Sequence, residues 1–393
     1  MTTVEVISRS PEIAPYRDTW EEVYRTVSAE PSTSFEWTQA LTRSHLAPDD
    51  GFTLLRVSRN GKVEGFVPLF TRRMPVLGYP VTVLAPLSEH YNTHSDLLVR
   101  NLDAESVSAF VSALQALDRR WDLFRVSNLL DGHPLLMHGS SVPAGKGSAA
   151  HVRQAHASYF LELPGTFAAY LSQRSSKFRN YLKRVEKKLD ERGSVRVLDC
   201  SSKSDVAHGF EMLLQIERLS WKHAHGTAIS VVERQITFYR SLCEGAAAAG
   251  RLHLQILTID DVPVAHNLGY LANGCYSYLK TSYGEAHKAA GVATYLRARL
   301  IETLIDRGVS RLDFPAEPYE WERQWTDTAR WHKALTIYGP TAAGRVLAWI
   351  DYARHRRGHN DDARRDVIHV DPRALTRSVA GHSNREAQDT VQS

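Results

Sequence analysis

Apolar and polar positions along this chain repeat with two periods, and the changes of period mark its elements. Thr3–Ser8 alternates and predicts a short strand. A helical spacing follows from Ile13 to Ala29, and Pro31 ends it. A second helix is expected from Phe35–Trp37 to His45. Two apolar runs, Phe52–Val57 and Lys62–Phe70, flank Arg59-Asn60-Gly61, and Asn-Gly between such runs is a strong hairpin signal. Strands are expected at Val81–Ala85, His94–Val99 and Leu123–Ser127, with a helix from Ala104 to Arg119. Ser140–Ala150 is small and Gly/Ser-rich and reads as a linker.

The second half opens on a strand at Ser158–Leu163. A helix is expected over Phe167–Arg192, with Gly193 at its end. Strand Val195–Asp199 and helices Lys203–Ala224 and Glu233–Ala249 follow. Leu252–Thr258 and Val262–Leu271 form a hairpin turning at Asp260-Asp261. Strand Cys275–Ser282, a loop, helix Val292–Arg307 and strand Arg311–Phe314 come next. A strand near Leu335–Tyr338 is expected to end the sheet, before a helix over Ala342–Arg356. Beyond Gly358 the chain is polar and aperiodic, as a disordered tail would be. FTLLRVSRNGKVEGFVPLF parallels LHLQILTIDDVPVAHNLGY, so the chain reads as two copies of one α/β unit.

Composition narrows the classes. The 393 residues suit about two domains. Hydrophobic residues make up 43% and charged residues 23%, which excludes wholesale disorder and collagen-like chains. Lys+Arg is 48 and Asp+Glu 44, and the resulting net charge of +4 is too small to mark a dedicated nucleic-acid protein. Cys200, Cys243 and Cys275 provide neither a disulfide framework nor a metal pair. The start has no signal-peptide core, and no apolar run is long enough to span a membrane. A soluble cytoplasmic protein is expected.

The loop before helix Val292–Arg307 carries the clearest chemistry. Lys288-Ala289-Ala290-Gly291-Val292-Ala293-Thr294 places a cation, a glycine and small residues at a helix start. The first N–H groups of a helix lack internal partners and favour an anion. Gly291 and Ala293 would let a diphosphate approach the backbone. The alternative is a plain strand-to-helix turn.

This pattern resembles the R/Q-x-x-G-x-G/A loop of the GNAT acyltransferases, which binds the diphosphate of coenzyme A; here Lys stands first and Ala last. The resemblance extends over roughly residues 5–350. It runs through Glu217, Trp221-Lys222, FYRSLCE, YGEAHKAAGVATYL and LDFPAEPYEWERQWT in the second half. In the first half FEWTQAL, NGKVEGFVPLF and NTHSDLLV carry it. The order is similar to the CelD/BcsL-type acetyltransferases (the "acetyltransferase 6" branch), whose architecture is shared with the FemABX peptidyltransferases. The fold class implied is α/β (α+β), with two tandem GNAT-like domains of mixed, mostly antiparallel sheets flanked by helices. We place a non-catalytic domain at residues 1–145, a catalytic domain at 150–358 and a tail at 359–393.

The resemblance implies direct attack of an amine or hydroxyl on an acyl-CoA thioester, most simply acetyl-CoA, with no metal. Backbone groups of Tyr278–Ser282 would stabilise the oxyanion. Asp313 and Glu317, near the end of strand Arg311–Phe314, are candidate proton acceptors, each with an ordinary structural alternative. Tyr319 would protonate the leaving thiolate or form an aromatic wall. His266 suits base chemistry, although a strand histidine is commonly a hydrogen-bonded core residue. Glu217 and Trp221, four apart on one helix, would share a face, and with Lys222 they would line the acceptor side. His90, His94 and Asp96 lack a further ligand and are not read as a metal site.

The stretch from Arg174 to Arg192 has eight basic residues (Arg174, Lys177, Arg179, Lys183, Arg184, Lys187, Lys188, Arg192) against Glu186, Asp190 and Glu191. Such a run is usually a solvated face. Lys177, Arg179 and Asn180 match the family's helix pattern and are the candidates for acceptor phosphates. The acceptor is expected to be a small molecule or saccharide. Two other readings remain: a Fem-like transferase using aminoacyl-tRNA, and a non-catalytic GNAT-fold binding protein.

Overall fold

The computed structural model describes residues 1–27, 30–76, 78–87, 93–117, 120–139, 150–315 and 318–356. The strands are β1 (Thr2–Ser8), β2 (Gly51–Arg59), β3 (Lys62–Val76), β4 (Tyr79–Pro86), β5 (Leu98–Val99), β6 (Leu123–Leu130), β7 (Ala150–Glu162), β8 (Val195–Asp199), β9 (Leu252–Ile259), β10 (Val262–Ala272), β11 (Cys275–Tyr283), β12 (Arg311–Asp313) and β13 (Ala329–Tyr338). The helices are α1 (Arg17–Val27), α2 (Phe35–Ser44), α3 (Ala104–Gln115), α4 (Pro134–His138), α5 (Phe167–Ser172), α6 (Ser176–Asp190), α7 (Val206–Arg218), α8 (Trp221–Ala224), α9 (Glu233–Ala248), α10 (Val292–Asp306) and α11 (Ala342–Arg356). The expected linker lies outside the described residues except for Ala150, and the expected tail lies wholly outside them.

All the strands join one sheet in the order β1-β2-β3-β4-β6-β13-β7-β12-β11-β10-β9-β8, with β5 paired to β3. The order is a palindrome of two repeats. Each repeat has four antiparallel strands, then a helix, then a strand parallel to the fourth: β4 with β6, and β11 with β12. The last strands are exchanged. β7, which follows the first repeat, pairs with β12 of the second, while β13 pairs with β6 of the first. β7 and β13 also pair with each other and close the seam. The strand expected to end the sheet therefore lies at its centre.

The hairpin repeat is real at the level of turn and bulge. Asn60 and Gly61 have φ of 50° and 79°, and Asp260 and Asp261 have φ of 49° and 65°. Two consecutive left-handed residues make the turn whose twist suits a two-residue hairpin. Both hairpins then bulge at the same place, leaving Glu64 unpaired in β3 and Val264 in β10.

Two expected helices are broken. Phe167–Arg192 divides because the Ser175 hydroxyl accepts from the Phe178 N–H and starts α6, an N-cap that satisfies an orphan donor. Arg179 turns back onto the carbonyls of Leu171 and Arg174. Lys203–Ala224 divides where the Ser220 hydroxyl donates to the Glu217 carbonyl at 2.7 Å. Glu217 and Trp221 thus sit on different helices: Glu217 is buried and Trp221 is 43% exposed. The strand expected at His94–Val99 shortens to Leu98–Val99, and that expected at Ser158–Leu163 lengthens into β7.

One apolar core runs through both repeats, from Trp20, Phe35 and Trp37 to Phe210, Phe238 and Leu254. α2 crosses α9 at Gly245, where an added Cβ would lie 2.7 Å from the Glu36 Cβ. Beside this crossing, the Arg251 guanidinium donates to Glu36 at 3.1 Å and to Glu21 at 2.6 Å. The Tyr270 hydroxyl also donates to Glu36, whose side chain is 1% exposed. Removing one partner of such a buried pair strands the other charge. Arg251→Met is expected to lower stability by about 3–5 kcal/mol, read as urea unfolding followed by both tryptophan fluorescence and circular dichroism. Loss of less than 1 kcal/mol would show that the network contributes little to the joint between repeats.

Candidate active site

β11 and β12 form a fork. They pair only through Cys275–Arg311, Tyr276–Leu312 and Ser277–Asp313. β12 ends there, while β11 continues to Tyr283 beside β10 alone. Tyr278–Tyr283 is therefore a prong with one edge unpaired by the sheet. A bulge at Leu279 re-aims it, as bulges beside functional sites do.

The expected anion loop follows the prong. Residues Glu285–Ala290 make a 3-10 turn, and Gly291 follows at φ 76° before α10 begins. A side chain at Gly291 would be strained, and its Cβ would lie 2.9 Å from Val185 of α6. Glycine thus also lets α6 pack against the loop. No side chain caps the start of α10, so the N–H groups of Val292, Ala293 and Thr294 have the orphan character of a first helical turn. Lys288 and Ala289 are exposed. Lys188 of α6 reaches the Ala289 carbonyl at 2.6 Å and adds a second cation beside Lys288. The basic run thus flanks the loop with Lys188, while Lys177 is solvent-exposed and Arg179 is spent on carbonyls.

On the other side of the prong lies a buried polar network. Glu217 Oε1 is 3.2 Å from His266 Nε2 and 3.9 Å from Lys222 Nζ, while its Oε2 accepts from the Ile229 N–H at 3.0 Å. Lys222 Nζ donates to the Thr281 carbonyl at 2.6 Å, tying α8 to the prong. Thr281 Oγ1 donates to the His266 carbonyl and to Asn267 Oδ1, and the Tyr278 hydroxyl donates to the same Oδ1. Burial pushes the Glu217 carboxyl up, but the His266 bond, the Lys222 charge and the Ile229 N–H outweigh it and bring it down to about 2. Burial lowers both His266 and Lys222, with Glu217 opposing.

The proposed proton carriers fare differently. Asp313 is fully buried, 3.1 Å from Arg311 Nε and 2.9 Å from Arg330, without the alignment of true hydrogen bonds. The Cys275 thiol also reaches its Oδ2 at 3.5 Å, so Asp313 links β11, β12 and β13. Glu317 lies outside the described residues. Tyr319 is 47% exposed and stacks on Trp321, with centroids 6.3 Å apart. Trp321 bridges the fork: its ring lies 6.2 Å from Tyr278 on one prong and 5.6 Å from Phe314 just past the other. Of the proposed metal set, His90 is undescribed, His94 pairs with Glu30 at 2.9 Å and Asp96 with His133 at 3.1 Å. Among the described residues no three such ligands cluster, and no helix is long and apolar enough to cross a membrane.

The sequence reading missed Arg297 and Glu322, both buried at the fork. Arg297 had a legible signal, because it falls on the apolar face of α10 with Leu296, Leu300, Ile301 and Leu304. Glu322 had none, since a short 3-10 turn has no periodicity.

The first repeat contrasts at the matching position. The start of α3 is capped by Asp103, which accepts from the Ser106 N–H at 2.9 Å and pairs with Arg59 at 2.8 Å. These bonds, the Ser106 N–H first and then Arg59, hold its carboxyl down at about 2. A fixed anion already occupies that helix end.

The sign of the Glu217 shift yields a pH test. Its carboxyl is held below the ordinary range, so its contribution is present above pH 4.5 and is lost as the pH falls toward 2. Between pH 6 and pH 3 the chain should lose about 2 kcal/mol through this group. Glu217→Gln should show a correspondingly smaller loss in urea titrations, and equal pH slopes would contradict the assignment.

Residues 176–323 match the family model described as "Acetyltransferase (GNAT) domain". No curated protein matches the sequence. Among solved structures, FemX superposes with a TM-score of 0.58 at 9% identity, covering 88% of this chain and 99% of that one. The C-terminal domain of a putative lysylphosphatidylglycerol synthetase from Agrobacterium fabrum gives 0.52 at 11%, covering 88% and 97%. L-PGS from Bacillus licheniformis gives 0.52 at 10%, covering 90% and 99%. Identities this low establish the fold alone. The fork and α10 thus lie inside the segment that matches the acetyltransferase (GNAT) domain model, and the chain shares the fold of FemX.

Proposed function

We propose that this chain is an acyltransferase of the CelD/BcsL type. It moves an acyl group, most simply acetyl, from acyl-CoA to an amine or hydroxyl of a sugar, polysaccharide precursor or related small metabolite. The observation that carries this reading is the uncapped start of α10, flanked by Lys188 and Lys288 at the end of the free prong. Bound acyl-CoA would supply the thioester. The N–H groups of Val292–Thr294 would hold its diphosphate, where helix ends favour anions. Unpaired backbone of Tyr278–Ser282 would polarise the thioester carbonyl as charge develops.

Lys222, Glu217 and His266 hold the prong rather than carry protons in this scheme. Lys222 fixes the Thr281 carbonyl, and the fully buried His266 keeps Glu217 in place. A neutral amine arriving at the fork attacks the carbonyl and gives its proton to water. In this scheme exposed Trp221 and Tyr319 would face the incoming acceptor, and Tyr319 would return a proton to the departing thiolate. We assign chemistry to the second repeat and framing of the acceptor to the first, because Asp103 would repel a diphosphate at α3.

Calorimetric titration with CoA is expected to give one site per chain. Lys188→Glu with Lys288→Glu should weaken it at least tenfold, about 1.4 kcal/mol or more, without moving the melting temperature of the free protein. Unchanged affinity, or a response to charged tRNA but not to CoA, would overturn the acyl-CoA reading.

A further inference from the structure

Arg297 is an anomaly. It is 5% exposed on the face of α10 that packs into the core. Its guanidinium lies 3.7 Å over the Trp321 ring, 5.4 Å from Trp325 and 5.9 Å from Tyr278. Rings hold the cation by their faces, leaving its planar edge for hydrogen bonding. Yet it makes no hydrogen bond or ion pair with any described residue, and its Nε is buried without a partner.

Glu322 is the second half of the anomaly. It is fully buried, and neither carboxyl oxygen has an aligned hydrogen-bond partner. Burial pushes this carboxyl up to about 8, with the Tyr319 N–H and the Arg297 charge only partly opposing. Arg297 is the charged group acting on it from a packed element, and its charge also reaches the buried Tyr170 and Tyr276 phenols. Neighbouring buried groups of this kind are costly when unpaired. The pair has the chemistry of a site completed by a ligand.

We propose that Arg297 and Glu322 form a carboxylate-binding site in the fork, the guanidinium taking both oxygens edge-on and the Glu322 carboxyl donating a further hydrogen bond. The fork geometry of guanidinium matches a carboxylate. One cation among aromatic walls neutralises one negative charge, whereas a phosphate dianion would leave a buried net charge. Trp321 spans Tyr278 and Phe314, so the site lies where acyl group and acceptor meet under the acyl-transfer reading. Only the source of the carboxylate rests on that reading: it belongs either to the acyl chain or to the acceptor.

The full chain is titrated with propionate and benzoate, with the matched amides, and with inorganic phosphate, following thermal shift and heat of binding. Saturable binding of the carboxylates is expected, at least tenfold tighter than of the amides or phosphate. Arg297→Lys should weaken it at least tenfold. Glu322→Gln should retain it. Above pH 8 the wild type should bind carboxylate more weakly as Glu322 loses its proton, while Glu322→Gln should not. No saturable binding, equal binding of amides, or unchanged affinity in Arg297→Lys overturns the site. Loss of CoA binding alone would instead overturn the acyl-CoA reading. A preference for succinyl-CoA over acetyl-CoA that disappears in Arg297→Lys assigns the carboxylate to the donor. A preference for amino-acid acceptors over their amides assigns it to the acceptor.

Discussion

The exchange of the last strand between repeats is the constraint on which the rest depends. β12 has only three residues and is held from one side by β7, which enters from the first repeat. Arg330 of β13 faces the Asp313 carboxylate at its end. β12 is therefore fixed toward the seam while β11 continues alongside β10. That divergence opens the fork, and Asp313 sits at its base between Arg311 and Arg330. The two repeats cannot be separated without removing a central strand from each.

A second asymmetry follows from electrostatics. The two repeats place a helix start in the same topological position, after β4 and after β11. In one, Asp103 and Arg59 satisfy the helix end internally. In the other, Gly291 turns the chain and no side chain caps the helix. The two helix starts thus differ electrostatically through a single capping residue. The polar network below the prong adds rigidity on the opposite face, since Lys222, Thr281, His266 and Glu217 connect α7, α8, β10 and β11.

Local chemistry made much of this legible in the sequence. Asn60-Gly61 and Asp260-Asp261 specify their own turns, and the Gly291 loop declares a break between strand and helix. Helix breaks at Ser175 and Ser220 were hidden because helical periodicity continues across them, while a single hydroxyl decides the cap. The central place of β13 is a long-range pairing that no local pattern encodes. Glu217 and Trp221 look like one helical face in the sequence, yet the break turns Trp221 outward. Arg297 was visible as a charge on an apolar face, but its meaning required Trp321 and Glu322, which the fold brings to it.

The central claim is that the second repeat, at the start of α10, receives the thioester carrier. The most direct measurement is a crystal structure of the full chain with CoA. The account predicts its diphosphate within hydrogen-bond distance of the N–H groups of Val292–Thr294, with its thiol end directed into the fork. A diphosphate bound at α3, or anywhere away from Gly291, would contradict it.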